Sequence, residues 1–258
     1  MFLKFKNKNL KTRNIQINEF IKPYTFFKKE YAPIMPLKIY QTWYTKNLPN
    51  RMKERVNLLK KQNPAFEHFL FDDNECREFI QNHFSTDVLN AYNSLIPGAY
   101  KADLWRLCVL YINGGIYLDI KLNCINNFRL IELTEQNHFV LDRIPPLTIY
   151  NALIACQKGH PFLLLAINKI VDNVKNKYYG GSPLDPTGPG MLGKLILNNK
   201  LKLNIDLIHY IHGGFIIYKN RFIMSTEYAE YNKERQDQNT VLNTKRYDAL
   251  WFDKKIYR

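Results

Sequence analysis

Polar and apolar positions between Leu37 and Asp119 alternate between two periods, and each change of period marks an expected element. Leu37–Tyr40 begins a strand, and Arg51–Gln62 has the spacing of an amphipathic helix. Phe66–Phe71 alternates as a second strand. Asp73 is then placed to cap a helix running through Glu75 to Phe84, with acids in its first turn. A helix over Thr86–Leu95 precedes the central run, Ala99–Ile112, which Pro97 opens at the first helical position. Gly114-Gly115 stops that helix with residues that tolerate positive φ, and the apolar strand Ile116–Leu118 ends on Asp119. Strand, helix, strand, helix with short joints predicts an α/β fold around a parallel sheet.

Beyond Asp119 the pattern is sparser. Phe139–Asp142 reads as a strand, and Pro161–Asn176 as a helix with one apolar face. Tyr179–Pro189 holds three Gly and three Pro, a loop, and Met191–Leu197 predicts a helix starting at Gly190. Leu203–Ile217 gives one or two strands. Residues 1–35 lack clean periodicity, with some helical character over Asn18–Lys29. They form a basic N-terminal extension ahead of one domain spanning residues 36–258.

A chain of 258 residues and 30.7 kDa accommodates one large α/β domain or two small ones. Its 46% hydrophobic and 14% aromatic content describes a packed globule. The cysteines, Cys76, Cys108, Cys124 and Cys156, form no C-x-x-C pair and are expected as buried free thiols. No 18-residue apolar run and no signal-like apolar stretch occurs, so a cytoplasmic location is expected. The formal charge is +14, and eight Lys/Arg against two acids fall within residues 1–35. Such an arm suits an anionic surface, and a solvated basic face explains it equally simply.

Chemistry concentrates after the central helix. Asp103 and Arg106 are three apart and share a helix face. Asp119 sits at a strand's carboxyl end, where open α/β sheets hold ligands. Taken alone, Asp103 and Arg106 also suit an ordinary surface ion pair. His209 and His212 are three apart but lack a third zinc ligand at suitable spacing, and Asp72-Asp73 suits a helix cap. Neither a phosphate-binding P-loop nor a dinucleotide fingerprint nor a nucleophile elbow is present.

The pattern Ala-x-Asp-x-x-Arg followed by Gly114-Gly-Ile-Tyr-Leu-Asp119 resembles the DXD-motif glycosyltransferases of the mannosyltransferase and capsular-polysaccharide group, the family 32-like enzymes. These are distantly similar to glucosylating toxins. Ile39-Tyr-Gln-Thr-Trp43, Asn63-Pro64, Phe71-Asp72-Asp73, Asn151 with Gly159-His-Pro161, and Thr187-Gly-Pro-Gly190 follow in family order. The resemblance implies a GT-A-like single domain: a central mixed, mostly parallel sheet flanked by helices. It implies transfer of a hexosyl unit from a UDP- or GDP-hexose to a glycan or glycoconjugate hydroxyl, with retention.

By the same resemblance Asp103, Arg106 and Asp119 form the catalytic set. Gln41, Thr42, Trp43, Tyr117, Lys121, Asn151, Thr187, Gly188 and Trp251 face the donor. Trp43 is placed to stack on the base, and Trp251 to fold over the donor from a C-terminal lid. The backbone of Thr187–Gly190 offers N–H groups to an anion, or is a plain turn.

The family's second acid is replaced by Lys121, a donor with no lone pair while protonated. The expected arrangement keeps Mn²⁺ or Mg²⁺ on Asp119 with a C-terminal ligand, Asp248 or Asp253. The alternative lets the Lys121 ammonium substitute for the ion. If the strand persists past Asp119, Lys121 points the same way as Asp119. The rival from another class is a catalytically degenerate module binding nucleic acid or an anionic membrane through the basic arm. Intact Asp103, Arg106 and Asp119 favour the enzyme, with no nucleic acid as partner and peripheral membrane association as an option.

Overall fold

The computed structural model describes Lys28 and residues 30–258. Apart from Lys28, the basic extension before residue 30, including most of the helical stretch expected over Asn18–Lys29, lies outside the described residues. The first half of the chain follows the expected order: β1 (Lys38–Thr42), α1 (Asn50–Gln62), β2 (Glu67–Phe71), α2 (Asp73–His83), α3 (Thr86–Ser94), α4 (Gly98–Asn113) and β3 (Gly115–Leu118). Then come β4 (Asn123–Cys124), a 3-10 turn at Leu130–Leu133, β5 (His138–Arg143), β6 (Thr148–Cys156), α5 (Pro161–Lys175) and α6 (Pro189–Asn198). The chain ends with β7 (Leu207–Tyr210), β8 (Phe215–Tyr218), β9 (Arg221–Ser225), α7 (Tyr231–Val241) and α8 (Tyr247–Phe252).

Among the described residues the strands form one sheet in the order β2-β1-β3-β6-β5-β7-β8-β9-β4. The fold is the mixed α/β domain expected. "Mostly parallel" needs correcting, because only β1–β2, β1–β3 and β5–β7 pair in parallel. The remaining five pairings are antiparallel. Tight turns are the cause. Lys219 and Asn220 both adopt positive φ, 48° and 59°, the two-residue geometry that folds β8 directly back onto β9. Thr148–Cys156, to which the sequence pattern assigns no element, is the longest strand among the described residues and sits between β3 and β5.

Alternation along the central strands builds two core layers. Ile39, Ile116 and Leu118 point into one, with Leu59 of α1 and Leu153. Tyr40 and Tyr117 point into the other, among α2 to α6. Helix α4 is buried along most of its length, with Leu104, Trp105, Leu107 and Cys108 at 1% exposure or less. A helix apolar nearly all round belongs inside a domain, so two of its three charged residues, Asp103 and Arg106, are carried into the interior.

Local signals explain the helix ends. Asp72, not Asp73, caps α2: its carboxylate accepts from the Glu75 N–H at 3.0 Å, and Glu75 accepts from the Asp72 N–H at 3.0 Å. This reciprocal box satisfies two donors that the helix leaves unpaired. Pro97 stands just before α4 rather than at its first position. Gly114 and Gly115 take φ of +68° and +108°, and a Cβ would lie 2.7 Å from the Lys158 nitrogen or the Lys38 oxygen, respectively. Only glycine fits both the backbone and the space. All four cysteines are free and buried. No helix among the described residues is long and apolar enough to cross a membrane.

Candidate active site

The carboxyl ends of the parallel neighbours β1 and β3 open into a cleft of about 430 Å³. That lies within the range of roughly 300–1,000 Å³ usual for small-molecule sites. Its floor is a network centred on Arg106. Nη2 lies 3.2 Å from Asp103 Oδ1 and 3.3 Å from Asp119 Oδ1. Nη1 donates to the Asn151 carbonyl at 2.6 Å, and Nε to the Ala102 carbonyl at 3.1 Å. The guanidinium also lies 4.4 Å above the Tyr117 ring. One planar fork thus joins α4, β3 and β6, a task for which a point-charge ammonium lacks the geometry.

The side chains of Arg106 and Asp103 are only 5% and 11% exposed, which removes the surface ion pair from consideration. Asp103 is held three ways. Oδ1 accepts from Asn151 Nδ2 at 2.8 Å as well as facing Arg106, and Oδ2 accepts from the Thr187 hydroxyl at 2.8 Å. Burial holds the Asp103 carboxyl above the usual range, against the opposing pull of Arg106, Thr187 and Asn151. Burial works against the Arg106 charge, but Tyr117, Asp119 and Asp103 outweigh it and keep its pKa raised.

Asp119 is the exposed member, at 24%. Its Oδ1 accepts from Tyr117 Oη at 2.8 Å and faces Arg106, whereas Oδ2 has no hydrogen-bond partner among the described residues. The strand does not persist beyond it. β3 ends at Leu118, and the Leu122 N–H closes a turn onto the Asp119 carbonyl at 3.0 Å. That turn, rather than strand alternation, brings Lys121 to the cleft. The ammonium sits 5.7 Å from the Tyr150 ring and 5.9 Å from the Tyr231 ring. Burial pushes its pKa down, Arg235 and Arg106 add to this, and Asp119 and Glu227 oppose it. Neither the Lys121 ammonium nor the guanidinium of Arg235, which lines the same cleft from α7, has an ion-pair or hydrogen-bond partner among the described residues.

The other sequence-derived residues divide. Thr42, Trp43, Tyr117, Asn151 and Gly188 line the cleft. Trp43 is 8% exposed and packs on Tyr44 and Tyr231, which leaves little face for stacking, and its buried indole N–H has no partner. Gln41 is buried in β1 against His68 at 2.8 Å and does not reach the cleft. Thr187 lies behind the cleft on Asp103. Of the two alternatives for Thr187–Gly190, the contacts favour the plain turn, because the Gly190 and Met191 N–H groups both donate to the Leu184 carbonyl.

Trp251 donates its indole N–H to the Tyr179 carbonyl at 2.7 Å, outside the cleft; Tyr247, one helical turn earlier, lines it instead. Asp248 is engaged by Arg246, with Nη2 at 3.1 Å, and Asp253 by Lys245 at 2.6 Å. Neither carboxylate lines the cleft beside Asp119. Among the described residues no three His, Cys, Asp or Glu side chains converge as a metal-binding group.

Sequence reasoning missed the far wall. His209 Nδ1 lies 2.7 Å from Asp142 Oδ1, and its ring stacks on Tyr150 with centroids 4.0 Å apart. The Thr148 hydroxyl holds the other oxygen of Asp142 at 3.1 Å. The signal was a carboxylate ending the expected strand Phe139–Asp142 and a histidine interrupting an apolar one. Only the parallel pairing Leu141↔Ile208 puts them side by side.

Comparison with known proteins fits this geometry. Residues 49–140 match the family model described as a glycosyltransferase sugar-binding region containing a DXD motif. Inositol phosphoceramide mannosyltransferase 3 of Schizosaccharomyces pombe is 31% identical over 169 residues, 66% of this chain and 44% of that protein. The initiation-specific alpha-1,6-mannosyltransferase of Candida albicans is 28% identical over 221 residues, 69% of this chain and 57% of that one. The chain therefore spans about half the length of the curated relatives it matches. Among solved structures, the PaToxG glycosyltransferase superposes with a TM-score of 0.51 at 17% identity, over 64% of this chain and 70% of that one. That likeness establishes the GT-A-like fold. The resemblance read from the motifs is met over residues 49–140, which are similar to the sugar-binding region of the DXD glycosyltransferases.

Proposed function

We propose that this chain is a glycosyltransferase that moves a hexosyl unit from a nucleotide-sugar donor to a glycan or glycoconjugate hydroxyl, with retention. The observation that carries this reading is the meeting of two opposite demands in one cleft. The Asp103–Arg106–Asp119 network is internally paired, while Lys121 and Arg235 stand beside it without partners. A sugar diphosphate asks for both features: hydrogen-bonding groups for hydroxyls, and cations for a leaving group that gains charge as it departs.

Asp119 Oδ2, without a hydrogen-bond partner among the described residues, is available to the nucleoside or the sugar. Tyr117 and Arg106 hold Asp119 in place, and Asn151 and Thr187 hold Asp103. The bond from the anomeric carbon to the diphosphate breaks as the acceptor oxygen bonds on the same face. The acceptor's proton passes to the departing phosphate oxygen. The wall formed by Asp142, His209 and Tyr150 faces this reaction and orients the acceptor hydroxyl. Both named relatives are mannosyltransferases, so a mannosyl nucleotide is the first donor to test.

The test is a panel of UDP- and GDP-sugars, scored by thermal shift and by release of nucleoside diphosphate without acceptor. A donor at about a hundred times its Kd adds about 2.7 kcal/mol of apparent stability, a shift of several degrees. Neither a shift nor nucleotide release across the panel would refute the reading.

A further inference from the structure

We infer that this cleft neutralises the donor's diphosphate without a divalent ion, using the side chains of Lys121 and Arg235 in its place. The inference rests on the nucleotide-sugar reading above and concerns how the same site handles charge. A hard cation needs oxygen ligands, and octahedral Mg²⁺ is commonly held by one or two carboxylates together with phosphates. The donor set here does not fit. Asp119 commits Oδ1 to Tyr117 and Arg106, leaving one oxygen. The next polar side chain along the motif is an ammonium, and the C-terminal acids are engaged by Arg246 and Lys245.

Charge points the same way. Exchanging a carboxylate for an ammonium at position 121 moves the local formal charge by two units, the charge a divalent ion supplies. A dication held on Asp119 would meet the Lys121 ammonium two residues away and the Arg106 guanidinium 3.3 Å from the carboxylate. Lys121 cannot turn away easily, because the Tyr150 and Tyr231 rings flank it. Tyr231 is itself fixed by packing on Trp43 and Tyr228, and it starts the helix that carries Arg235. The cation that replaces the family's second acid and the one added by α7 therefore belong to one packed unit. An arriving diphosphate would meet two cationic side chains already placed and in no ion pair or hydrogen bond among the described residues.

The experiment is calorimetric titration of UDP and GDP into the full chain after exhaustive chelation, repeated with Mn²⁺ added, together with Lys121→Gln, Lys121→Asp and Arg235→Gln. Wild type is expected to bind its preferred nucleotide with affinities in EDTA and in Mn²⁺ agreeing within about threefold, well under one kcal/mol. Removing one charge-assisted contact through Lys121→Gln or Arg235→Gln should weaken binding in EDTA by about ten- to a hundredfold. Lys121→Asp should also bind poorly in EDTA but recover with Mn²⁺, and its nucleotide complex should show a protein-bound Mn²⁺ signal in electron paramagnetic resonance that wild type lacks. Thermal unfolding of each ligand-free variant checks folding, and the two Gln variants carry the test if Lys121→Asp does not fold. Wild-type binding that vanishes in EDTA and returns with Mn²⁺ would overturn the inference while leaving a nucleotide-dependent enzyme. Wild-type affinity in both Gln variants would overturn it too. Failure of wild type to bind either nucleotide under any condition would overturn both this inference and the transferase reading.

Discussion

Arg106→Lys isolates the shape of the guanidinium from its charge. Arg106 meets four acceptors, the Ala102 and Asn151 carbonyls and the Asp103 and Asp119 carboxylates, and lies on the Tyr117 ring. A lysine ammonium keeps the positive charge but converges its donors on one point, so it can serve about two of these acceptors. Two lost hydrogen bonds at about 1 kcal/mol each, with about 1 kcal/mol for the ring contact, give a destabilisation of about 3 kcal/mol. At about 2–4 °C per kcal/mol for a domain of this size, the melting temperature should fall by about 6–12 °C. Turnover should fall further than stability predicts. Arg106 fixes Asp119 against Tyr117, and an ångström of misplacement at a reacting centre is worth about a hundredfold. The assay pairs thermal unfolding with donor hydrolysis at a temperature where both proteins are folded. A melting temperature within about 2 °C of wild type would refute the four-acceptor reasoning. A destabilised variant with full turnover would reduce Arg106 to a packing residue.

Three further outcomes follow from the same contacts. Asp119→Asn preserves volume and leaves the fold intact, but should remove nearly all donor hydrolysis; turnover above about a tenth of wild type would contradict its role. Burial pushes the Asp142 carboxyl up, but the hydrogen bond and charge of His209, with Thr148, prevail and hold it below the ordinary range. Its contribution is thus complete above the unfolded-state pKa and is lost as pH falls through the lower folded one. His209→Gln should therefore flatten the acid limb of a stability profile, and an unchanged limb would count against the pair. Burial raises the Glu132 carboxyl from 4.5 to about 7, so its ionisation opposes folding. Stability should decline as pH rises from about 4.5 to 7, by no more than about 1–2 kcal/mol after solvent screening, and Glu132→Gln should abolish that decline.

The half of the site on α4 and β3 was legible because every signal for it is local. Pro97, the buried run, the paired glycines and the strand end fall within 25 consecutive residues, and the glycine conformations follow from sterics alone. The sequence also indicated that Asp103 and Arg106 share a face. What that face meets was hidden, since Asn151 and Thr187 reach Asp103 from 48 and 84 residues away. Strand β6 was missed for a related reason. It is buried between two neighbours, so it lacks the alternation that marks a half-exposed strand. Asp248 and Trp251 were misplaced because α8 turns them away from the cleft, the acid toward Arg246 and the indole toward Tyr179.

The deepest illegibility is in α7, where Tyr231 is the one buried residue and the chain from there to Thr240 is polar on every side. A helix without an apolar stripe gives no periodic signal. Its position is set by the Tyr231 ring against Trp43 and Tyr228 and by Glu234, which accepts from the Tyr228 hydroxyl. Yet that ring flanks Lys121, and the following turn delivers Arg235 to the same cleft. Read along the chain, Lys121 is a damaged acid motif and Arg235 an anonymous surface charge. Once β3 and α7 are folded against each other, the two become one feature. A substitution that removes an ion's ligand brings a cation of its own, and a helix with a single buried residue adds a second. The distant arginine therefore bears on whether the departure at position 121 disables the site or changes how it handles charge. Substituting Arg235 while leaving the motif intact is the measurement that separates those two cases.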